Sequence, residues 1–313
     1  MSIEYPSAVI GTNSWGSKAY GKMVRGSYVP EDTIRAAMSS ADELGLKVYD
    51  LARDYGFGEA QKMIGRFGTE NIIISAKYTP FSGYKPGCVR KSLEKDLSDF
   101  RRSYVDIYWL HLPTDIEPHL REIITMVNEG KIRHVGVSNF NLEECQKAAR
   151  ILGESGIPLY GVQNHYSVIS REWEKNGLLS WCRENHISFW AWAVLEEGML
   201  TDPRVKTKRS IMKMIFNRQK RKLKELYQAM IEISEVHGIT VPQVAIAFTA
   251  DKGIVPICGC RKPKQVEELA QAVRIQLTPE EISRLEQAAD RANAKIMGPD
   301  LFRPFVKKEK KHI

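Results

Sequence analysis

The runs KVYD at 47–50, IIISAK at 72–77 and YVDIYWLH at 104–111 are dense in β-branched and aromatic residues, and each gives out into a polar one: Asp50, Lys77 and His111. Apolar runs this short, without helical spacing, read as buried strands of a parallel sheet. Tyr55 follows Asp50 in the next loop. Side chains at the C-terminal ends of neighbouring parallel strands meet on one face of a sheet or barrel, so the pattern constrains fold and chemistry together. Further strand-like runs near 7–11, 133–137, 160–163, 188–193 and 254–257 are separated by amphipathic stretches of helical length. The alternation predicts an α/β fold closed as a (β/α)8 TIM barrel in a single domain, residues 1–313, since such barrels commonly run to about 250 residues or more. Helix starts are marked by capping-box spacing at Thr240 with Gln243 and Thr278 with Glu281. The second opens a helix whose Ile282, Leu285, Ala288 and Ala289 form one apolar stripe.

The converging groups suit proton transfer. A tyrosine hydroxyl near pKa 10 is a poor acid at neutral pH, and an ammonium about 4 Å away at an effective dielectric near 20 contributes on the order of 4 kcal/mol toward its ionisation. Lys77 is therefore expected to lower Tyr55, Asp50 to hold the ammonium as an ion pair, and neutral His111 to position a substrate oxygen. Taken alone, Lys77 also fits a structural ion pair or the Schiff-base lysine of a barrel aldolase.

With 43% hydrophobic residues and no apolar run of membrane-spanning length, the chain has core material and no predicted membrane span. The start MSIEYPSAVIG lacks a basic segment followed by a long apolar one, so a cytoplasmic location is expected. Five scattered cysteines without a CxxC pair, and histidines without ligand spacing, predict neither disulfides nor a metal site. The net charge of +8 admits nucleic acid, anionic membrane or an anionic small molecule. Much of it lies in residues 202–224 after the seventh strand and in a tail at 304–313. Such runs usually form a solvated face, although apolar Ile211, Met212, Met214, Ile215 and Phe216 give the first the makings of a lid. The partner expected is therefore a small molecule, with no nucleic acid and no membrane. No GxGxxG follows a strand, so phosphate binding falls to GCRKPKQ at 259–265, where a helix N-terminus meets Arg261, Lys262 and Lys264. The aromatic residues Trp15, Tyr20, Tyr28, Phe81, Tyr84 and Trp109 are candidates to line a substrate pocket or to fill core.

Together DLARDYG at 50–56, Lys77, LH at 110–111 and GKIRHVGVSNF at 130–140 resemble the aldo-keto reductase superfamily, with VIGTNSWG at 9–16, YGVQNHYS at 160–167 and IVPICGCR at 254–261 in family order. The resemblance implies an NADP(H)-dependent enzyme acting on a carbonyl or alcohol, with Tyr55 as proton donor beside Asp50, Lys77 and His111. It implies coenzyme contacts from Gly11, Thr12, Asn13 and Asp50, and nicotinamide contacts from Ser138, Asn139, Gln163 and Trp192. Gly259, Arg261, Lys262 and Gln265 fall in the segment that implies the adenosine-phosphate site. Three stretches depart from the pattern: Ala193, Val194 and Leu195 followed by Glu196 and Glu197; His165, where an acidic residue is common; and Leu269, where an asparagine is common. A redox-neutral epimerase with retained coenzyme would use the same residues, and a nicotinamide-sensing regulatory subunit would keep them.

Overall fold

The computed structural model describes residues 5–205, 214 and 219–294. Most of the basic stretch expected at 202–224, and the tail at 304–313, lie outside the described residues.

Eight parallel strands close on themselves in sequence order: β1 Val9–Gly11, β2 Val48–Asp50, β3 Ile73–Tyr78, β4 Val105–Leu110, β5 Ile132–Ser138, β6 Leu159–His165, β7 Ser188–Trp192 and β8 Val255–Gly259. Closure is direct, with Ile10 in register with both Tyr49 of β2 and Cys258 of β8. The apolar residues form two bodies. An outer layer between strands and helices contains residues such as Ile10, Tyr108, Leu110 and Phe248. A smaller interior cluster of Val9, Val48, Ile107, Trp109, Tyr160, Trp190, Val255 and Ile257 fills the barrel itself, as expected of a packed core rather than a pore.

The helix starts follow local chemistry. Thr278 Oγ1 accepts the Glu281 N–H at 3.2 Å while Glu281 returns a carboxylate oxygen to the Thr278 N–H at 2.8 Å. Gln243 closes on the Thr240 N–H at 2.9 Å, and Asn141 with Glu144 forms a further reciprocal pair at the start of Leu142–Gly153. Leu285, Ala288 and Ala289 of the expected stripe are buried. No helix among the described residues is long and apolar enough to cross a membrane.

Candidate active site

Asp50 ends β2, and the chain then turns sharply so that Tyr55 comes back over the barrel mouth. The 3-10 turn Tyr55–Gly58 passes through left-handed backbone at Gly56, Phe57 and Gly58, with φ of 61°, 60° and 84°. Gly56 is required there on two counts, because a Cβ would also stand 2.2 Å from the Trp15 carbonyl oxygen. Arg53 fastens the same loop to the next helix, Cys88–Phe100, by donating to the Ser92 carbonyl at 3.0 Å and to the buried Asp96 carboxylate.

Lys77, on β3, is buried with its side chain fully shielded. An unpaired ammonium in such a place would be costly. Its Nζ lies 2.5 Å from Asp50 Oδ2 and 3.3 Å from the Tyr55 hydroxyl, and that hydroxyl is 3.4 Å from Asp50 Oδ2. Burial holds Lys77 below its ordinary value against the pull of Asp50. Tyr55 moves the opposite way from the sequence expectation. Burial, then the Asp50 charge, pushes its phenol well above 10.0. The phenol is therefore a neutral donor throughout the ordinary pH range.

His111 is buried just beyond β4, with Nδ1 2.8 Å from Thr79 Oγ1. Burial first, and the Lys77 charge second, hold it down at about 3 from the usual 6.5, so the imidazole is neutral. A depressed histidine stabilises the fold above its unfolded pKa, and that stabilisation is lost as pH falls toward the folded value. Between pH 6.5 and 5 the protein is expected to lose up to about 2 kcal/mol by this route. Denaturant melts of His111→Gln should lack that part of the acid sensitivity, and equal losses in both proteins would contradict the assignment.

The residues implied for nicotinamide form one cluster continuous with these groups. Ser138 Oγ donates to the Gln163 carbonyl at 2.7 Å, and Gln163 Nε2 donates to Asp50 Oδ1 at 2.9 Å. Asn139, at φ 63°, donates to the His111 carbonyl at 3.0 Å and accepts from the Trp192 indole at 3.2 Å. On the opposite side Thr12 Oγ1 donates to the Asp50 carbonyl at 2.8 Å, and Gly11 stands in register with Asp50 and Gly259. The Asn13 carbonyl accepts from Tyr20 at 2.8 Å.

Past β8, Lys262 is exposed at the start of the helix Pro263–Ala272, and Gln265 Oε1 caps the Arg261 N–H at 2.9 Å. The Arg261 guanidinium reaches Ser27 at 3.2 Å, and its charge is disfavoured by burial and then by neighbouring Arg25. Two further residues here escaped sequence reasoning. Ser14 Oγ and Arg25 Nε are buried and find no partner among the described residues, and a Cβ at exposed Gly259 would meet Ser14 Oγ at 3.6 Å. Orphaned donors beside a glycine-floored, cation-rich mouth fit an anionic phosphate group.

Two of the departures prove to be partners. His165 Nε2 lies 3.1 Å from Glu196 Oε2, both side chains are buried, and Ser167 also donates to Glu196. The adjoining Glu197 reaches across to Arg25 at 2.7 Å. Between them they hold left-handed turns at Ala193, Glu196 and Glu197, with φ of 59°, 47° and 51°. Leu269 is buried in the outer core and offers no polar group to a ligand.

The aromatic candidates differ in burial. Trp15 is buried, giving its indole N–H to the Cys260 carbonyl at 2.8 Å. Tyr20 is buried as well, and Trp109 lies in the barrel interior. Tyr84 is half-buried edge-on to His119, while Phe81 is 55% exposed. The exposed apolar residue nearest Tyr55 in the chain is Phe57, at 77%, in the same 3-10 turn. The signal that would have found Phe57 is its place between two turn glycines directly after Tyr55.

The profile of the Aldo/keto reductase family matches residues 8–290. An aldo-keto reductase of Schizosaccharomyces pombe, yakc [NADP(+)], is 27% identical over 95% of this chain and 94% of its own. The chloroplastic pyridoxal reductase of Arabidopsis thaliana is 28% identical over 92% and 85%. Among solved structures, the glycerol dehydrogenase of Gluconobacter oxydans superposes with a TM-score of 0.75 at 24% identity, covering 92% of each chain. An aldo/keto reductase from Klebsiella pneumoniae in complex with NADP and acetate gives 0.69 at 23% identity, covering 98% of this chain and 94% of its own.

Proposed function

We propose, from the premise that this chain belongs to the aldo/keto reductase family, that it reduces an aldehyde or ketone with NADPH, or runs the reverse alcohol oxidation, with Tyr55 handling the proton. The observation that carries this reading is the single Lys77 nitrogen placed 2.5 Å from Asp50 and 3.3 Å from the Tyr55 hydroxyl at the mouth of a closed barrel. NADPH, when bound, supplies the hydride. Ser138, Asn139, Gln163 and Trp192 would hold its nicotinamide end, and Ser14, Arg25, Gly259, Arg261, Lys262 and Gln265 its phosphates.

The chain's own groups then divide the remaining work. Neutral His111 offers a hydrogen bond to the substrate oxygen without competing for a proton at neutral pH. Tyr55 gives its proton to that oxygen as negative charge develops, a downhill transfer because an alkoxide is a stronger base than a phenolate. Lys77 and Asp50 keep the phenol aimed, and the ammonium steadies the charge left on it. The Schiff-base alternative is disfavoured by the full burial of the Lys77 side chain against Asp50, which shields the nitrogen from a substrate carbonyl. Steady NADPH oxidation over a panel of aldehydes and ketones supports the reductase. A single slow turnover with retained coenzyme points to a regulatory subunit, and borohydride trapping on Lys77 to an aldolase.

Coenzyme choice follows from the β8 mouth. The Arg261 charge is disfavoured by burial and then by Arg25, whereas Arg25 has Glu197 as its partner at 2.7 Å, so an added phosphate of about −1.5 to −2 charge gives Arg261 the counter-charge it lacks. NADPH is expected to bind at least about tenfold more tightly than NADH at low salt. Arg261→Ala should lose most of that difference, and equal dissociation constants in the unaltered protein would contradict the placement.

A further inference from the structure

Beneath the catalytic groups the indole of Trp109 spans the barrel interior. Its Nε1–H donates to Ser75 Oγ on β3 at 2.7 Å, while its six-membered ring lies over β5 and β6. A Cβ added at Gly136 would stand 2.3 Å from Trp109 Cε3, and one at Gly161 3.1 Å from its Cη2. Trp190 packs on the same indole with centroids 5.0 Å apart. Trp109 and Ser75 are both fully buried, so neither has water as an alternative partner.

A hydroxyl that accepts one hydrogen bond still has its own O–H to place. With Trp109 donating to Ser75 Oγ, that proton points to Asp50 Oδ1, 3.3 Å away. Gln163 Nε2 donates to the same oxygen at 2.9 Å. Oδ1 is thereby tied down from two sides, and Oδ2 is the oxygen that meets Lys77 at 2.5 Å and Tyr55 at 3.4 Å.

We propose that Trp109 and Ser75 are positioning residues for Asp50. Their hydrogen-bond relay fixes the rotation of the Asp50 carboxylate toward Lys77 and so keeps the Lys77–Tyr55 contact in place. Without the Ser75 hydroxyl, Oδ1 loses one of its two donors, the carboxylate turns more freely, and the Nζ–hydroxyl contact, already 3.3 Å, lengthens. The kinetic consequence rests on the function proposed above, whereas the relay itself does not.

The experiment therefore has a spectroscopic and a kinetic arm. In protein labelled with 15N in the tryptophan indoles, the Trp109 signal is identified by its loss in Trp109→Phe. It is expected to shift in Ser75→Ala and again in Asp50→Asn, which Trp109 does not touch, while the signal of Trp15 stays put. A Trp109 signal unmoved by Asp50→Asn overturns the relay. In the kinetic arm, Ser75→Ala and Trp109→Phe are each expected to lower kcat about tenfold with KM for the carbonyl substrate nearly unchanged. The double variant should fall no further than the worse single one, because both break the same chain. Losses that multiply, or a folded Ser75→Ala with kcat within about twofold of the unaltered protein, overturn the proposal. Absence of carbonyl reduction in the unaltered protein would count against the proposed function alone, leaving the indole shift to decide the relay.

Discussion

Tyr55→Phe is expected to lower kcat by about 10²–10⁴-fold, the usual worth of general acid catalysis, while coenzyme dissociation constants barely move. The variant deletes one hydroxyl and leaves the ring, the Lys77–Asp50 pair at 2.5 Å and the cluster of Ser138, Asn139, Gln163 and Trp192 as they are. In the unaltered protein the donor stays protonated well past its ordinary value of 10.0, because burial and then Asp50 oppose its ionisation. Reduction should consequently show no acid-requiring limb between about pH 7 and 9. Stopped-flow rates and equilibrium titration check both parts. A variant that keeps more than half of kcat where chemistry is rate-limiting would place the acid elsewhere.

Lys77→Met should damage activity and stability together, by separable routes. The pair it breaks is almost completely shielded, with side-chain exposures of 0% for Lys77 and 3% for Asp50. Removing one member of a buried pair typically costs about 3–5 kcal/mol, because the other charge is left without its partner. Ser75 and Gln163 still donate to Asp50, which favours the low end of that range. Adding Asp50→Asn should restore much of the stability, since no stranded charge remains, yet restore no activity, since Tyr55 has lost both neighbours. Denaturant melts and kcat on the single and double variants decide the matter, and recovery of rate along with stability would mean that the pair acts only structurally.

The strands were legible because eight apolar runs stand out between amphipathic ones, and the polar residues at their ends marked the mouth before any geometry was known. Asp50, Lys77 and His111 could be grouped because parallel strands share one exit face, and Tyr55 because its loop begins there. Depth was not legible. Trp109 shares an inward face with His111, two residues on, but whether an inward aromatic lines a pocket or fills the layer beneath depends on register with Gly136 and Gly161, which only the closed barrel fixes. Ser75 carried a weaker signal, a hydroxyl inside the IIISAK run two residues before Lys77 and therefore on the same face. The pairing of His165 with Glu196 joins positions 31 apart, beyond the reach of any local pattern. The sign of the Tyr55 shift was equally hidden, because it rests first on the burial of the phenol and then on Asp50, 3.4 Å from the hydroxyl.

The reaction is tested most directly by following deuterium from NADPH labelled at nicotinamide C4 into product, with a panel of aldehydes and ketones as acceptors. The expected result is an alcohol carrying one deuterium on the carbinol carbon, with the hydroxyl proton drawn from solvent. An alcohol formed without deuterium at that carbon, or no alcohol from any acceptor while coenzyme is bound, would contradict hydride transfer at this barrel mouth.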